Sequence, residues 1–151
     1  MDRALLLAAG AAEMGEVPVG ALVVLNGEVL AEGVNTRECA MDPCGHAEIH
    51  ALREAALKHG SWRLDGATVY VTLEPCPMCA GAMVLSRIAR CVYGARDPKG
   101  GFLGSLADLS AFPGLNHRFE VTAGVRGEEA SAQLKQFFRA LRARRETPDT
   151  T

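Results

Sequence analysis

The sequence predicts an α/β protein in three layers, with a central mixed sheet of about five strands and helices on both faces. Two observations carry that prediction. Helical and strand-like segments alternate along the chain in the order helix, hairpin, helix, strand, helix, strand, loop, strand, helix. An Asn-Gly pair at Asn26–Gly27 joins two strand-like runs, and both residues tolerate the positive φ that a tight hairpin turn needs.

Each element has its own signal. Ala4–Met14 is helix-like, and Pro18 ends that register. Val19–Leu25 reads as a buried strand, and "EVLAEGVN" returns as its partner after the turn. Thr36–Gly45 is polar and turn-rich. His46–His59 is a helix with Ile49, Leu52, Ala56 and Leu57 on one face, and Gly60 is its stop. Ala67–Leu73 is a β-branched strand, Pro77–Ile88 an almost wholly apolar helix, and "RCVYGA" the next strand. Arg96–His117 is a long Gly/Pro-rich connection with at most one helical turn near Leu106–Leu109, and connections of that length are usually functional or mobile. "RFEVT" is a last strand, Glu128–Arg145 a last helix, and 146–151 a frayed tail. With no repeat or linker, the chain reads as a single domain over 1–151.

Bulk properties narrow the class. The chain has 151 residues, 48% hydrophobic and 23% charged, which is ordinary for one globular core. A formal net charge of −2 excludes nonspecific binding of nucleic acid by the whole surface, so such a partner needs a local basic patch. Five cysteines at uneven spacing do not make a disulfide framework, and a reducing, cytoplasmic setting is expected. Arg3–Ala12 resembles a signal-peptide core, but Asp2 spoils a basic start and Glu13 follows at once, so it reads as a packed helix. No other apolar run approaches the ~20 residues of a membrane span.

The chemistry is concentrated in two short stretches. In "LEPCPMC" (Leu73–Cys79), Pro77 suits the first turn of a helix. Cys76 then stands at the helix mouth and Cys79 one turn on, so their sulfurs converge. The helix dipole favours thiolates there. That pair alone also fits a redox couple. The second stretch, "CGHAEIHAL" (Cys44–Leu52), brings His46 to the head of another helix with Glu48 two residues later. One His and two Cys suit Zn²⁺, and three protein ligands leave a fourth position for water. A carboxylate beside such a water can take and pass on its proton. Residues i and i+2 of a regular helix do not face the same way, so His46 must sit at the cap or Glu48 must reach over the helix end. Cys44 or His50 could instead close the shell and make the zinc purely structural.

Together, His46-Ala47-Glu48 and Pro75-Cys76-Pro77-Met78-Cys79 match the H-x-E and P-C-x-x-C signature of zinc nucleobase deaminases. Over roughly Gly15–Arg142 the chain resembles one branch of the zinc-dependent cytidine/deoxycytidylate deaminase superfamily, the bacterial tRNA-specific adenosine deaminases, which convert wobble adenosine to inosine. The resemblance rests on "GEVPVGALVV", "GVN", "DPCGHAEIHALREA", "VYVTLEPCPMCAGAMVLSRI", "VYGARDPKGG", "GSL", "PGLNHR" and "FFR". The "GARD-x-K-x-G" and "NHR" segments are more diagnostic than the zinc motif.

The resemblance implies a cytidine-deaminase-like α/β/α fold with one Zn²⁺ per subunit, held by His46, Cys76 and Cys79. Glu48 would shuttle protons while zinc-activated water attacks C6 of adenine. Asn35 and Ala47 would meet the extruded base, Asp97 a ribose hydroxyl, and Lys99 a phosphate, with Asn116 and His117 on the other side. The implied partner is a tRNA anticodon stem-loop, of an arginine tRNA, gripped by a homodimer.

In the last helix, Leu134, Phe137, Phe138 and Leu141 form an apolar stripe that reads mostly as core packing, and Phe138 is also a candidate substrate contact. Lys135, Arg139 and Arg142 share an adjacent face, with Arg144 and Arg145 beyond, and this acid-free stretch is the one basic patch of the chain, which suits an RNA stem-loop or is a solvated face. Cys44 and the apolar N-terminal helix depart from the family pattern, as does "AFPG" at Ala111–Gly114. Two rival readings are a deaminase of free bases or nucleosides (guanine or cytosine/cytidine), and a structural zinc protein or RNA-binding module without catalysis.

Overall fold

The computed structural model describes residues 1–146. Residues 147–151, most of the expected tail, lie outside the described residues, and Glu146 itself is still helical. The strands are β1 (Gly20–Leu25), β2 (Glu28–Val34), β3 (Thr68–Leu73), β4 (Arg90–Ala95) and β5 (Glu120–Thr122), and they form one sheet in the order β2-β1-β3-β4-β5. β1 runs antiparallel to both β2 and β3, while β3, β4 and β5 are parallel, so the sheet is mixed.

The hairpin forms at Asn26–Gly27, with φ of 53° and 77°, both in the left-handed region that its turn demands. Helices α1 (Asp2–Glu13) and α4 (Gly127–Glu146) lie together on one face of the sheet. Gln133 Nε2 donates to Leu5 O at 3.0 Å, and Arg126 pairs with Asp2. Helices α2 (Ala47–His59) and α3 (Pro77–Leu85) lie together on the other face. The main core sits under α2 and α3, where Leu52, Val69, Val71, Met83, Ile88 and Tyr93 are buried.

Two helices approach the sheet through small residues. A Cβ on Gly20 would lie 2.2 Å from Ala4 O of α1, and a Cβ on Gly33 would lie 2.1 Å from Ala47 O of α2. The seam of α2 is therefore Ala47, Ala51, Leu52 and Ala55, not the larger residues beside it. This corrects the expected face: Leu57 is 83% exposed, and Ile49 and Ala56 are only half-buried. Close seating of a helix on a strand selects small side chains, which hydrophobic periodicity underweights.

Other expectations shift at their ends. The apolar helix stops at Leu85 rather than Ile88, because Arg87 takes a left-handed φ of 64° and Leu64 N donates to Ser86 O at 2.7 Å. The helical turn in the long connection is a 3₁₀ turn at Leu109–Ala111 instead of Leu106–Leu109, capped by Asp108 through Ser110 N. The α4 stripe is core only at its start: Ala130 is the helix's one buried residue, Leu134 packs beside it against Leu5 and Ala95, and Phe138 is 39% exposed. What buries Ala130 is its seat near Gly94 of β4.

Candidate active site

The site lies at one end of the sheet, where β2, β3 and β4 finish and β1 begins. Gly20 pairs with Val34, and Gly20 N donates to Thr72 Oγ1 at 3.3 Å. Two helices start there. His46 is the N-cap of α2 with φ −88° and ψ 148°, and Cys76 is the N-cap of α3 with φ −73° and ψ 174°. Both are extended, so the ligand side chains leave the chain before the helical twist begins. This resolves the i, i+2 conflict between His46 and Glu48: His46 belongs to the cap and Glu48 to the first turn. Pro77 occupies the start of α3, where its missing N–H has no intrahelical partner to lose.

His46, Cys76 and Cys79 converge, their ligand atoms all within 4.8 Å of one another. His46 Nδ1 lies 3.5 Å from each sulfur. Ligands at zinc–nitrogen and zinc–sulfur distances in a tetrahedral shell would stand about 3.6 Å apart, so the donor set fits zinc in type and in span. All five cysteines are free thiols. Cys44 is exposed and outside this cluster, and His50 is occupied otherwise, with Nε2 2.8 Å from Thr36 Oγ1. Neither closes a fourth ligand position.

The electrostatics match the geometry. The Cys79 thiol and the His46 imidazole hold Cys76 down to about 4, against the cost of its burial. Cys79 goes the other way, because the neighbouring Cys76 thiolate and burial both disfavour a second charge. His46 is raised by its contact with Cys76. Glu48 is 4% exposed, and burial first, then the Cys76 charge, pushes its carboxyl up to about 7. A carboxyl of that kind can both accept and donate near neutral pH.

A cavity of about 590 Å³ opens over these groups. His46, Glu48, Cys76 and Ala47 form its floor; Asn35, Val17, Val19, Leu73 and Asp97 wall it; Phe137, Phe138, Leu141 and Arg145 of α4 overhang it. Asn35 is 8% exposed, with Nδ2 donating to Val17 O at 3.3 Å and Oδ1 accepting from Arg37 N at 3.1 Å. Its amide plane is fixed, with capacity left over for a base edge. Asp97 Oδ1 accepts from Lys99 N and Gly100 N, both at 3.1 Å.

Not every expected residue reaches this cavity. Lys99 is exposed beyond its wall. Asn116 and His117 dock on the α3–β4 turn: Arg87 Nη1 donates to Asn116 Oδ1 at 3.2 Å, and His117 Nε2 donates to Ile88 O at 2.7 Å. Arg139 and Arg142 line a separate shallow groove on α4 with Lys135, Leu134 and Phe138.

Two buried carboxylates near the site have no signature motif of their own. Glu16 is fully buried, accepting from Cys39 N at 2.6 Å and Glu38 N at 3.2 Å. Burial alone would raise its carboxyl, yet these amides hold it below the ordinary value. Glu74 is 2% exposed and bound to the 97–105 loop. A charged residue inside a strongly apolar stretch is the one signal that could have found either. Arg37 lines the cavity with no motif to announce it, and Arg145, from the basic stretch of the last helix, lines it too.

Comparison with known proteins decides the family. The family model described as MafB19-like deaminase matches residues 1–142. The tRNA-specific adenosine deaminase of Bacillus subtilis is 50% identical over 96% of this chain and 90% of its own. The chain belongs to the tRNA-specific adenosine deaminase family. A solved structure from work on A-to-I editing by tRNA:A34 deaminases at the wobble position matches with a TM-score of 0.85 and 43% identity, over 89% of this chain and 97% of that one. A guanine deaminase from Nitrosomonas europaea matches with a TM-score of 0.74 but 25% identity, over 90% and 81%. The sheet and helices are thus those of the cytidine-deaminase-like fold, and the chain is a deaminase. Among the described residues no helix is long and apolar enough to cross a membrane.

Proposed function

We propose that the chain hydrolyses adenosine to inosine at the wobble position of a tRNA anticodon loop, releasing ammonia. The observation that carries this reading is a three-ligand His-Cys-Cys set beside a buried glutamate, in a chain half identical to a tRNA-specific adenosine deaminase. His46, Cys76 and Cys79 would hold one zinc ion per chain, which supplies the Lewis acidity that makes a water reactive at neutral pH.

The chain's own residues do the rest. Glu48 takes a proton from the attacking water and delivers protons to N1 of the ring and to the departing amine. Its pKa near 7 suits both directions. Asn35, fixed by Val17 and Arg37, presents its remaining amide capacity to the base above the Ala47 floor. Asp97 spends Oδ1 on its own turn and leaves Oδ2 for a ribose hydroxyl. An anticodon loop already presents splayed bases, so little is spent in extrusion, and 2′-hydroxyl contacts favour RNA. Lys135, Arg139 and Arg142 on α4, with Lys99 on the loop, answer the phosphates, while Asn116 and His117 offer a further edge to the RNA. The resemblance adds an arginine tRNA as substrate and a homodimer as the working form. The unpaired thiols suit the cytoplasm, where tRNA is decoded.

A substrate contest tests this. Zinc-loaded protein meets an anticodon stem-loop bearing wobble adenosine and, separately, free adenosine, cytidine, cytosine and guanine. The expected result is inosine in the stem-loop alone, and none with Glu48→Ala. Turnover of a free base with an untouched stem-loop would move the chain to the guanine- or cytosine-deaminase reading. Full activity in Glu48→Ala would end the proton-shuttle role.

A further inference from the structure

Glu74 is a charged side chain at the end of β3, two residues before Cys76, with almost no solvent contact. Its partners all belong to one loop. Oε1 accepts from Asp97 N at 3.2 Å and from the Ser105 hydroxyl; Oε2 accepts from Leu103 N at 3.2 Å and Ser105 N at 3.1 Å. The main chain adds two ties nearby: Glu74 N donates to Ala95 O at 2.8 Å, and Phe102 N donates to Pro75 O at 2.9 Å. The loop closes so tightly that a Cβ on Gly101 would fall 2.1 Å from Glu74 Oε2.

A carboxyl group that gathers three amides and a hydroxyl from one loop is a clamp on that loop. The loop begins at Asp97, which walls the active-site cavity, and the clamp itself is joined to the metal-ligand residue Cys76 through Pro75 alone. We infer that Glu74 is a positioning residue: although it borders the cavity, both its carboxylate oxygens are spent on the 97–105 loop, so it registers that loop against the start of α3 and sets how Asp97 meets the substrate. The consequence for substrate rests on the tRNA reading above; the consequence for the loop does not.

Glu74→Gln tests both. The glutamine keeps the shape but turns one acceptor oxygen into a donor that faces the loop's own donors. Amide hydrogen exchange is followed in the zinc-loaded protein without RNA. The Asp97, Leu103 and Ser105 amides should exchange about tenfold faster, with Val69 and Val71 in β3 unchanged and zinc content equal to that of the parent. With the stem-loop, KM should rise about tenfold while kcat stays within about threefold. Unchanged exchange at the three amides would overturn the inference whatever the activity. A fall in kcat at constant KM would also overturn it, by making Glu74 part of the reaction. If the stem-loop is no substrate at all, the tRNA reading fails and the exchange result still decides the clamp. Should Glu74→Gln fail to fold, Ser105→Ala removes one donor and leaves the carboxylate. It should speed the Asp97 and Leu103 amides about threefold, and no change there would count against the clamp just as firmly.

Discussion

The floor and the overhang of the active-site cavity are built on opposite principles. The floor takes His46, Ala47 and Glu48 from the start of α2 and Cys76 from the start of α3, with Cys79 buried one turn on; the two helices begin side by side at one end of the sheet, each with an extended cap residue. Every piece is anchored by buried neighbours. The overhang is a single helix, α4, with Ala130 as its one buried residue and Phe137, Phe138 and Leu141 leaning over the cavity. Bond-making chemistry needs convergent groups fixed to fractions of an ångström, whereas recognition of a long polyanion tolerates a spread of charge along an exposed face.

That contrast can be broken or sharpened by substitution. The largest effect belongs to the floor: His46→Ala should abolish stoichiometric zinc binding, measured by metal analysis after dialysis, and take all detectable turnover with it. Chelation of the parent should do the same, with activity returning when Zn²⁺ is restored. A parent that turns over fully when stripped would undo the metal assignment. On the overhang, Arg139→Gln with Arg142→Gln should leave zinc and fold intact. Stem-loop affinity should fall about tenfold, and the slope of log K against log salt should drop by about 1.4, the contribution of two phosphate contacts on single-stranded RNA. An unchanged slope would reduce that face of α4 to plain solvated surface.

The smallest effect lies on the other wall, where Glu16 holds the Glu38 and Cys39 amides. Glu16→Gln should cost about 1–3 kcal/mol of stability at neutral pH by denaturant titration. The sign with pH follows from the depressed carboxyl. Its stabilisation is present above the ordinary carboxylate value and lost as pH falls through the lower folded value. Parent and variant should therefore converge in acid. A constant gap between them down to low pH would show that Glu16 contributes shape alone.

What could be read in the sequence follows the same division. The hairpin, the caps at His46 and Cys76 and the stop at Gly60, with φ 78°, are local matters, encoded within a few residues and legible there. The ligand set was legible because metal chemistry restricts residue type and spacing at once. Glu74 stands inside a motif, yet its task is invisible there, because its partners lie up to 31 residues away and leave no periodic trace. Leu57 misled because apolar periodicity counts large side chains, while α2 seats on alanines. Beyond Leu134 the α4 stripe misleads for the converse reason: an amphipathic pattern says that one face is covered and is silent on whether core or substrate covers it.

The glycine seat of α2 carries a consequence for how this sequence can change over generations. Position 33 has no room for even a methyl group, since the carbonyl of Ala47 stands where the carbon would go. An alanine there must lift the start of α2, and with it His46 on one side of that carbonyl and Glu48 on the other. A neutral-looking change in an outer strand would thus arrive as a defect in catalysis. Lineages are free to experiment along the outer face of α4, but Gly33 is barred to the mildest substitution there is, and its constancy would owe nothing to contact with substrate.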